Sequence, residues 1–115
     1  MEVLILKVQF FKSETGVEPV RKWLKDELSA EDRKTIGEDI KTLQEGFPIG
    51  MPLVRSLGDG LWELRSAISG KRITRILFCH DDDKLLLLHG FIKKRQATPK
   101  KEINIAAKRR QVASN

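Results

Sequence analysis

Three short apolar segments in the second half of the chain constrain the fold more than any other feature. They are LWELRSA (61–67), RITRILFCH (72–80) and KLLLLHGFI (84–92), and their composition favours β-strands. Only ISGK separates the first two segments, and only DDD separates the last two. Because connections this short cannot carry the chain back along a sheet, the segments predict two successive antiparallel hairpins.

A further strand and a helix are predicted near the start of the chain. Residues 2–11, EVLILKVQFF, are rich in β-branched and aromatic side chains, which predicts a strand. A first helix is expected from about Glu18, since Pro19 suits the first helical turn. The apolar residues that follow have helical spacing and comprise Val17, Val20, Trp23, Leu24 and Leu28.

A second helix is predicted to follow almost without a loop. It begins at Ser29, and Asp32 stands three residues further on in a capping-box arrangement. Gly46 and Pro48 mark its end. Its apolar stripe comprises Ile36, Ile40, Leu43 and Phe47. The short connection predicts that the two helices form an antiparallel hairpin.

The remaining segments complete one α+β domain that spans residues 1–115. Residues 48–60, PIGMPLVRSLGDG, are predicted to be a loop. A last helix is expected with Thr98 as N-cap and Pro99 as its first residue. The predicted order is β-α-α-β-β-β-α, with a small curved antiparallel sheet. The helices are expected on one face of the sheet, which leaves the other face free to bind.

The charge of the chain is unevenly distributed. The net charge is +6; residues 1–60 hold 9 Lys/Arg and 11 Asp/Glu (9 − 11 = −2), whereas residues 61–115 hold 13 and 5 (13 − 5 = +8). A basic second half favours a surface that binds a polyanion, nucleic acid above all. A plain solvated surface is the alternative.

Several other classes of protein find little support in the sequence. No apolar run is long enough for a membrane helix, and no secretory signal is expected at the N-terminus, so a cytoplasmic protein without membrane contact is predicted. The chain has a single cysteine, Cys79, which fits a reducing compartment. Cys79 is expected to be a small buried residue of a strand. The two histidines, His80 and His89, are scattered and no Gly-rich phosphate loop is present, so neither a metal nor another cofactor is expected.

One arginine is predicted within an otherwise apolar strand face. Residues two apart share a face, so Arg75 lies in a row with Ile73, Leu77 and Cys79. Two explanations stand side by side: an ion pair with Glu63 on the neighbouring strand, or recognition of a phosphate by the planar guanidinium group. Both can hold at once.

A cluster of positive charge follows the last strand. Lys93, Lys94 and Arg95 leave that strand close to Arg65 and Arg75 if the sheet is antiparallel. Together these side chains could line one basic cleft that holds a phosphate backbone. For each lysine taken alone, a solvated surface role is the simpler interpretation.

The second half of the chain resembles a known toxin family. LWELR, followed by RITRILFCHDDDKLLLLHGFIKKRQATPKKEINIAAKRR, is similar to the phage-related HigB-type branch of the RelE/ParE toxin superfamily. The similarity extends over residues 1–110 in element order, and its specific part is about 50 residues long. The resemblance implies a RelE-like fold and a toxin that is neutralised by a helix-turn-helix (HigA-like) antitoxin. It also implies a metal-independent ribonuclease that cuts mRNA, often on the ribosome.

The resemblance also implies roles for individual residues. Arg75 corresponds to the arginine at the scissile phosphate, Arg65 lies on the neighbouring strand, and Lys93 and Lys94 fall in the substrate groove. The other expected RNA contacts are Lys71, Arg72, Phe91, Arg95, Lys100 and Lys101. Phe91 could stack on a base, although filling the core is the simpler role for it.

The sequence departs from the family at the proton acceptor, because it has no tyrosine. His89, Glu63 or a lysine could take the proton from the 2′-hydroxyl, and a lysine or His89 could return one to the 5′-oxygen. Two other functions stay open. One is a ParE-like inhibitor of DNA gyrase that performs no chemistry, and the other is an inactive phage-derived module that binds nucleic acid.

Overall fold

A computed structural model describes residues 5–94 and 96–114, and within them the chain forms three helices and a five-stranded sheet. The elements are β1 (Lys7–Phe10), α1 (Pro19–Glu27), α2 (Ala30–Gly46), β2 (Val54–Gly58), β3 (Leu61–Ile68), β4 (Arg72–Asp81), β5 (Lys84–Ile92) and α3 (Lys100–Ser114). A short 3₁₀ turn, Ser69–Lys71, joins β3 to β4. The α+β class and the RelE-like arrangement are therefore confirmed.

The sheet has the strand order β1-β5-β4-β3-β2 and is mixed, not wholly antiparallel. The two predicted hairpins are confirmed, because β3, β4 and β5 pair antiparallel in chain order. The first strand instead lies parallel to β5, with Lys7 opposite Lys84. Several elements separate β1 from β5 along the chain, so the connection does not force an antiparallel pair. Residues 2–4 of the predicted first strand lie outside the described residues.

The prediction of a loop throughout residues 48–60 is wrong, because part of this segment forms β2. The strand pairs antiparallel with β3, with Arg55 opposite Glu63, and its register shifts between Ser56 and Gly58. An edge strand has a neighbour on one side only and can tolerate polar side chains and irregular pairing. It therefore lacks the continuous apolar pattern that reveals β4 and β5.

Helices α1 and α2 cover one face of the sheet, which we call the helical face. The buried residues there are Val20, Leu28, Ile36, Leu43, Val54, Leu64, Ile68, Ile76, Phe78, Leu85 and Leu87. The predicted helical stripes supply several of these side chains, but Val17 is 45% exposed and precedes α1. Gly90 lies so close to α1 that an added Cβ would be 2.5 Å from a ring carbon of Trp23. The glycine is thus required for the packing of α1 on β5.

Helix α3 packs on the opposite face of the sheet, which we call the α3 face. Its buried cluster comprises Phe11, Leu61, Leu77, Cys79, Leu86, Leu88 and Ala106. The expectation that all helices share one face is therefore wrong. Alternation within the leucine run puts Leu85 and Leu87 on one face and Leu86 and Leu88 on the other, so both faces must be covered. Cys79 is buried, as predicted.

Candidate functional site

Glu63 and Arg75 form a buried ion pair on the α3 face. They come from the neighbouring strands β3 and β4, and both side chains are 0% exposed. Glu63 Oε1 lies 3.3 Å from Arg75 Nε and 3.7 Å from Arg65 Nε. None of these three atoms has a hydrogen-bond partner among the described residues, so attraction between charges holds them. The ion-pair interpretation of Arg75 therefore agrees with the geometry.

The segment between β5 and α3 completes the surroundings of Arg75. Its Nη1 donates a hydrogen bond to Thr98 Oγ1 at 2.6 Å, and its Nη2 donates to the Gln96 carbonyl oxygen at 2.7 Å. The Thr98 hydroxyl in turn donates to Glu63 Oε2. Thr98, predicted as a helix cap, thus bridges the two members of the ion pair. The sequence indicates Thr98 only as the N-cap before Pro99, and it does not indicate the contact of Thr98 with Glu63 and Arg75.

Burial changes what Arg75 can do. Desolvation lowers the pKa of its guanidinium group; Glu63 opposes this shift, and Arg65 and Arg55 add to it. An arginine nevertheless stays charged in proteins, so a partner such as Glu63 is needed. While Gln96 and Thr98 lie over it, Arg75 cannot reach a phosphate, and its role at the scissile phosphate stays a prediction.

Two other arginines near Glu63 are accessible to solvent. The Arg65 side chain is 19% exposed and lies directly opposite Arg75 in the sheet. Arg55 is exposed and lies opposite Glu63 on β2. We call Arg55, Glu63, Arg65 and Arg75 the arginine cluster. Arg55 is not among the site residues predicted from the sequence, because the sequence predicts a loop over its segment.

Four of the predicted RNA-binding cations line one groove beside this cluster. The basic groove is formed by Lys71, Arg72, Ile73, Lys93, Lys94 and Gln96. The backbone brings its two sides together, because Lys93 N–H donates to the Ile73 carbonyl oxygen at 2.7 Å. Lys71 and Arg72 thereby meet Lys93 and Lys94, which are distant in the sequence. A concave surface with four cations suits a phosphate backbone.

Arg72 also connects the groove to α2. Its Nη2 donates to Asp32 Oδ2 at 3.0 Å, and the same carboxylate accepts bonds from the Ser69 N–H and hydroxyl groups. The hydrogen bond from the Ser69 backbone is the main reason that the pKa of Asp32 is lowered. The predicted cap is confirmed, since the Ser29 hydroxyl accepts from the Asp32 N–H group. The Asp32 side chain, however, accepts hydrogen bonds from Ser69 and Arg72 and so stabilises the turn between β3 and β4.

His89 lies under α3 with both ring nitrogens engaged. Nε2 is 3.3 Å from Glu102 Oε1, and Nδ1 is 3.3 Å from Arg109 Nη1. Because Arg109 can only donate, Nδ1 must accept, and the proton belongs on Nε2. Burial lowers the pKa of His89, although Glu102 opposes this shift. In this arrangement the imidazole has no nitrogen available for a substrate, so a catalytic role would require rearrangement.

The remaining predicted contacts are not gathered into the basic groove. Phe91 is half-buried and stacks on His89 with ring centroids 5.6 Å apart, which agrees with the core interpretation. Lys100 and Lys101 are exposed in the first turn of α3 and are not among the residues that line the groove. Arg95 lies outside the described residues.

The described residues 5–94 and 96–114 contain no group of three or more His, Cys, Asp or Glu side chains that could hold a metal ion. Within the same residues, no helix is long and apolar enough to cross a membrane. Accessible guanidinium groups can stabilise negative charge, and the groove lysines can bind phosphate or transfer a proton.

Comparison with known proteins identifies a family for this chain. The model of the family described as phage-derived protein Gp49-like (DUF891) matches residues 22–111, which include both the arginine cluster and the basic groove. No match was found among the curated proteins. The matched region covers most of the chain and is compatible with a toxin of a toxin–antitoxin system. The chain therefore belongs to the Gp49-like family of phage-derived proteins, a family of RelE/HigB-like toxins.

Proposed function

We propose that the protein is a HigB-type toxin of a type II toxin–antitoxin pair and acts as a metal-independent endoribonuclease on mRNA. The observation that carries this proposal is the basic groove beside the solvent-facing side chains of the arginine cluster. A phosphate backbone in that groove would meet Lys71, Lys93 and Lys94. The scissile phosphate would then be within the neighbourhood of Arg65.

Cleavage of RNA without a metal requires three catalytic functions. The 2′-hydroxyl loses a proton and attacks phosphorus, the pentavalent phosphate is stabilised, and the 5′-oxygen leaves with a proton. We assign stabilisation to Arg65, with Arg55 next to it, because both guanidinium groups reach solvent. Among the candidate bases, Lys93 and Lys94 line the groove, and we assign proton transfer to them.

Glu63 and Arg75 support this chemistry without contacting the substrate. Glu63 lies between the two arginines, so its carboxylate fixes the position of Arg65 while Arg75 neutralises the buried charge. Thr98 ties this pair to the start of α3. Glu63 and Arg75 are therefore positioning residues. We further propose that a helix-turn-helix antitoxin binds the toxin and blocks the groove.

Cleavage by the purified protein tests this proposal. A labelled mRNA is incubated with the protein in EDTA, with and without ribosomes, and the ends of the products are examined. The mechanism predicts 5′-hydroxyl ends, because the 5′-oxygen is the leaving group. We expect loss of cleavage in Lys93→Gln/Lys94→Gln and retention in Lys34→Gln/Lys41→Gln, which removes the same charge from exposed positions on α2. Intact RNA with the wild-type protein under both conditions would contradict the proposal.

One observation favours a second candidate function, inhibition of DNA gyrase without chemistry. Arg75 and Glu63 are fully buried, and both nitrogens of His89 are engaged, so three predicted catalytic groups are occupied by protein partners. A supercoiling assay with purified gyrase discriminates between the two functions. Inhibition of supercoiling together with intact RNA would support the alternative.

A further inference from the structure

A second groove opens where β3 continues past the end of β2. Pairing between these strands reaches Leu64 opposite Val54, and the Arg65 N–H group still donates to the Leu53 carbonyl oxygen. Beyond that point, no strand among the described residues pairs with β3 on this side. The resulting edge groove has a volume of about 330 Å³ and is lined by Asp39, Pro52, Leu53, Arg65, Ala67 and Ile73.

The edge groove combines an apolar surface with two opposite charges. Pro52, Leu53 and Ile73 offer an apolar surface on which a planar base can pack. Arg65 supplies hydrogen-bond donors and Asp39 supplies acceptors. Within the part of the chain that the structure describes, the half-buried Asp39 carboxylate has no ion-pair or hydrogen-bond partner. Such a site suits a flat, polar-edged ligand.

The position of the edge groove bears on what it could bind. It shares Ile73 with the basic groove, so the two grooves adjoin at this residue. A single strand of RNA has phosphates on one side and bases on the other. If its phosphates follow Lys71, Lys93 and Lys94, a base can turn into the edge groove.

We propose that the edge groove is a nucleobase pocket that selects guanine through Asp39 and Arg65. Guanine presents two adjacent N–H donors, at N1 and N2, to the two oxygens of one carboxylate, and its O6 accepts from a guanidinium group. Uracil presents a single N–H group between two carbonyl oxygens. The carboxylate oxygens repel these carbonyl oxygens, so uracil should bind Asp39 less well. The inference rests on the proposed function and adds to it a residue, Asp39, that determines base specificity.

Binding of RNA analogues that cannot be cut tests the inference separately from cleavage. The probes are 2′-O-methyl hexanucleotides: six uridines, or five with one internal guanosine or inosine. Their affinities are measured with the full chain by fluorescence anisotropy, and the amide signals of Asp39, Ala67 and Ile73 are followed by NMR. We expect the guanosine probe to bind at least about fivefold more tightly than the uridine probe. Inosine, which lacks the 2-amino group, should fall between them.

Two variants with the same change of charge give the decisive comparison. Asp39→Asn should reduce the preference for guanosine to less than about twofold, because an amide replaces one acceptor oxygen by a donor. Glu38→Gln changes the adjacent, exposed carboxylate on α2 and should keep the preference. Thermal melting confirms that both variants are folded.

Several results would overturn the inference. These are equal binding of all probes, no binding, or the same preference in Asp39→Asn as in the wild type. Shifts of the groove amides with an antitoxin peptide but not with RNA would also overturn it, and would identify a protein ligand instead. If the protein prefers guanosine but does not cleave natural RNA, the proposed ribonuclease function is refuted while the inference of a guanine pocket stands. If the protein cleaves RNA but Asp39→Asn does not change the base preference, the ribonuclease function stands and the inference of a guanine pocket is refuted.

Discussion

Arg75 and Arg65 have different roles because they differ in burial. Arg75 and Arg65 lie opposite each other on β4 and β3, yet Arg75 is 0% exposed and Arg65 is 19% exposed. The buried guanidinium is surrounded by Glu63, Thr98 and Gln96, whereas the other still faces solvent. The sequence reveals both arginines but not this difference, because the covering segment lies about twenty residues further along the chain.

The two arginines should therefore differ in their effect on stability. Arg75→Ala leaves Glu63 buried without its main counter-charge, and we expect the free energy of unfolding to fall by about 3–5 kcal/mol. Arg65→Ala removes a more distant and partly exposed partner and should cost less than about 1 kcal/mol. Urea denaturation of both variants measures the difference. Equal stability would show that the ion pair does not hold this part of the sheet.

His89 should give the protein a pH-dependent stability near neutrality. Burial lowers its pKa in the folded state below the ordinary value of 6.5, so the unfolded chain takes up the proton first as the pH falls. This contribution to stability is then full above about pH 6.5 and is lost as the pH falls from that value into the acidic range. In His89→Gln the urea midpoint should vary less over this range. His80→Gln, at an exposed position, is the control. Identical profiles for the three proteins would contradict the assignment.

At the scale of elements, the features with the strongest apolar pattern were predicted best. Strands β3, β4 and β5 are confirmed with nearly the predicted bounds, because apolar residues recur on both faces of these strands. The edge strand β2 was missed for the opposite reason. The position of α3 depends on which strand faces remain uncovered, and that is a property of the assembled sheet. The leucine run carried the relevant signal, since four apolar residues in a row supply both faces.

Close packing of α1 on β5 depends on Gly90. A Cβ at this position would lie 2.5 Å from the Trp23 ring, so we expect Gly90→Ala to lower the free energy of unfolding by about 1–3 kcal/mol. In a Trp23→Leu background the same change should cost much less, because the smaller side chain leaves room. Gly37→Ala on α2 is the control, since its Cβ would meet nothing within 4 Å. Equal costs of Gly90→Ala in the two backgrounds would refute this explanation.

At the scale of the whole molecule, the fold gathers charge that is scattered along the sequence. The basic second half predicted a polyanion-binding surface, and the basic groove brings four of its cations together. The sequence could not indicate that Lys100 and Lys101 lie elsewhere, that Arg55 joins the cluster, or that Asp39 borders it. These facts depend on which segments meet at the edge of the sheet.

The basic groove predicts a defined salt dependence of RNA binding. Each neutralised phosphate of a single strand contributes about 0.7 to the slope of log K against log salt concentration. Lys93→Gln/Lys94→Gln should therefore reduce the slope by about 1.4 if both lysines contact phosphates. Anisotropy titrations of a 2′-O-methyl oligonucleotide at several salt concentrations measure it. The exposed pair on α2, Lys34→Gln/Lys41→Gln, should keep the wild-type slope, and an equal reduction in both variants would indicate nonspecific attraction.

A map of mRNA 5′ ends in cells after a brief pulse of expression tests directly whether the protein cuts mRNA and whether Arg65 is required. Wild-type protein is compared with Arg65→Ala and with Arg21→Ala, an exposed arginine on α1, at equal protein levels. We expect discrete new 5′ ends with the wild type and Arg21→Ala, and none with Arg65→Ala. Growth arrest with intact mRNA, or the same new ends with Arg65→Ala, would contradict this expectation.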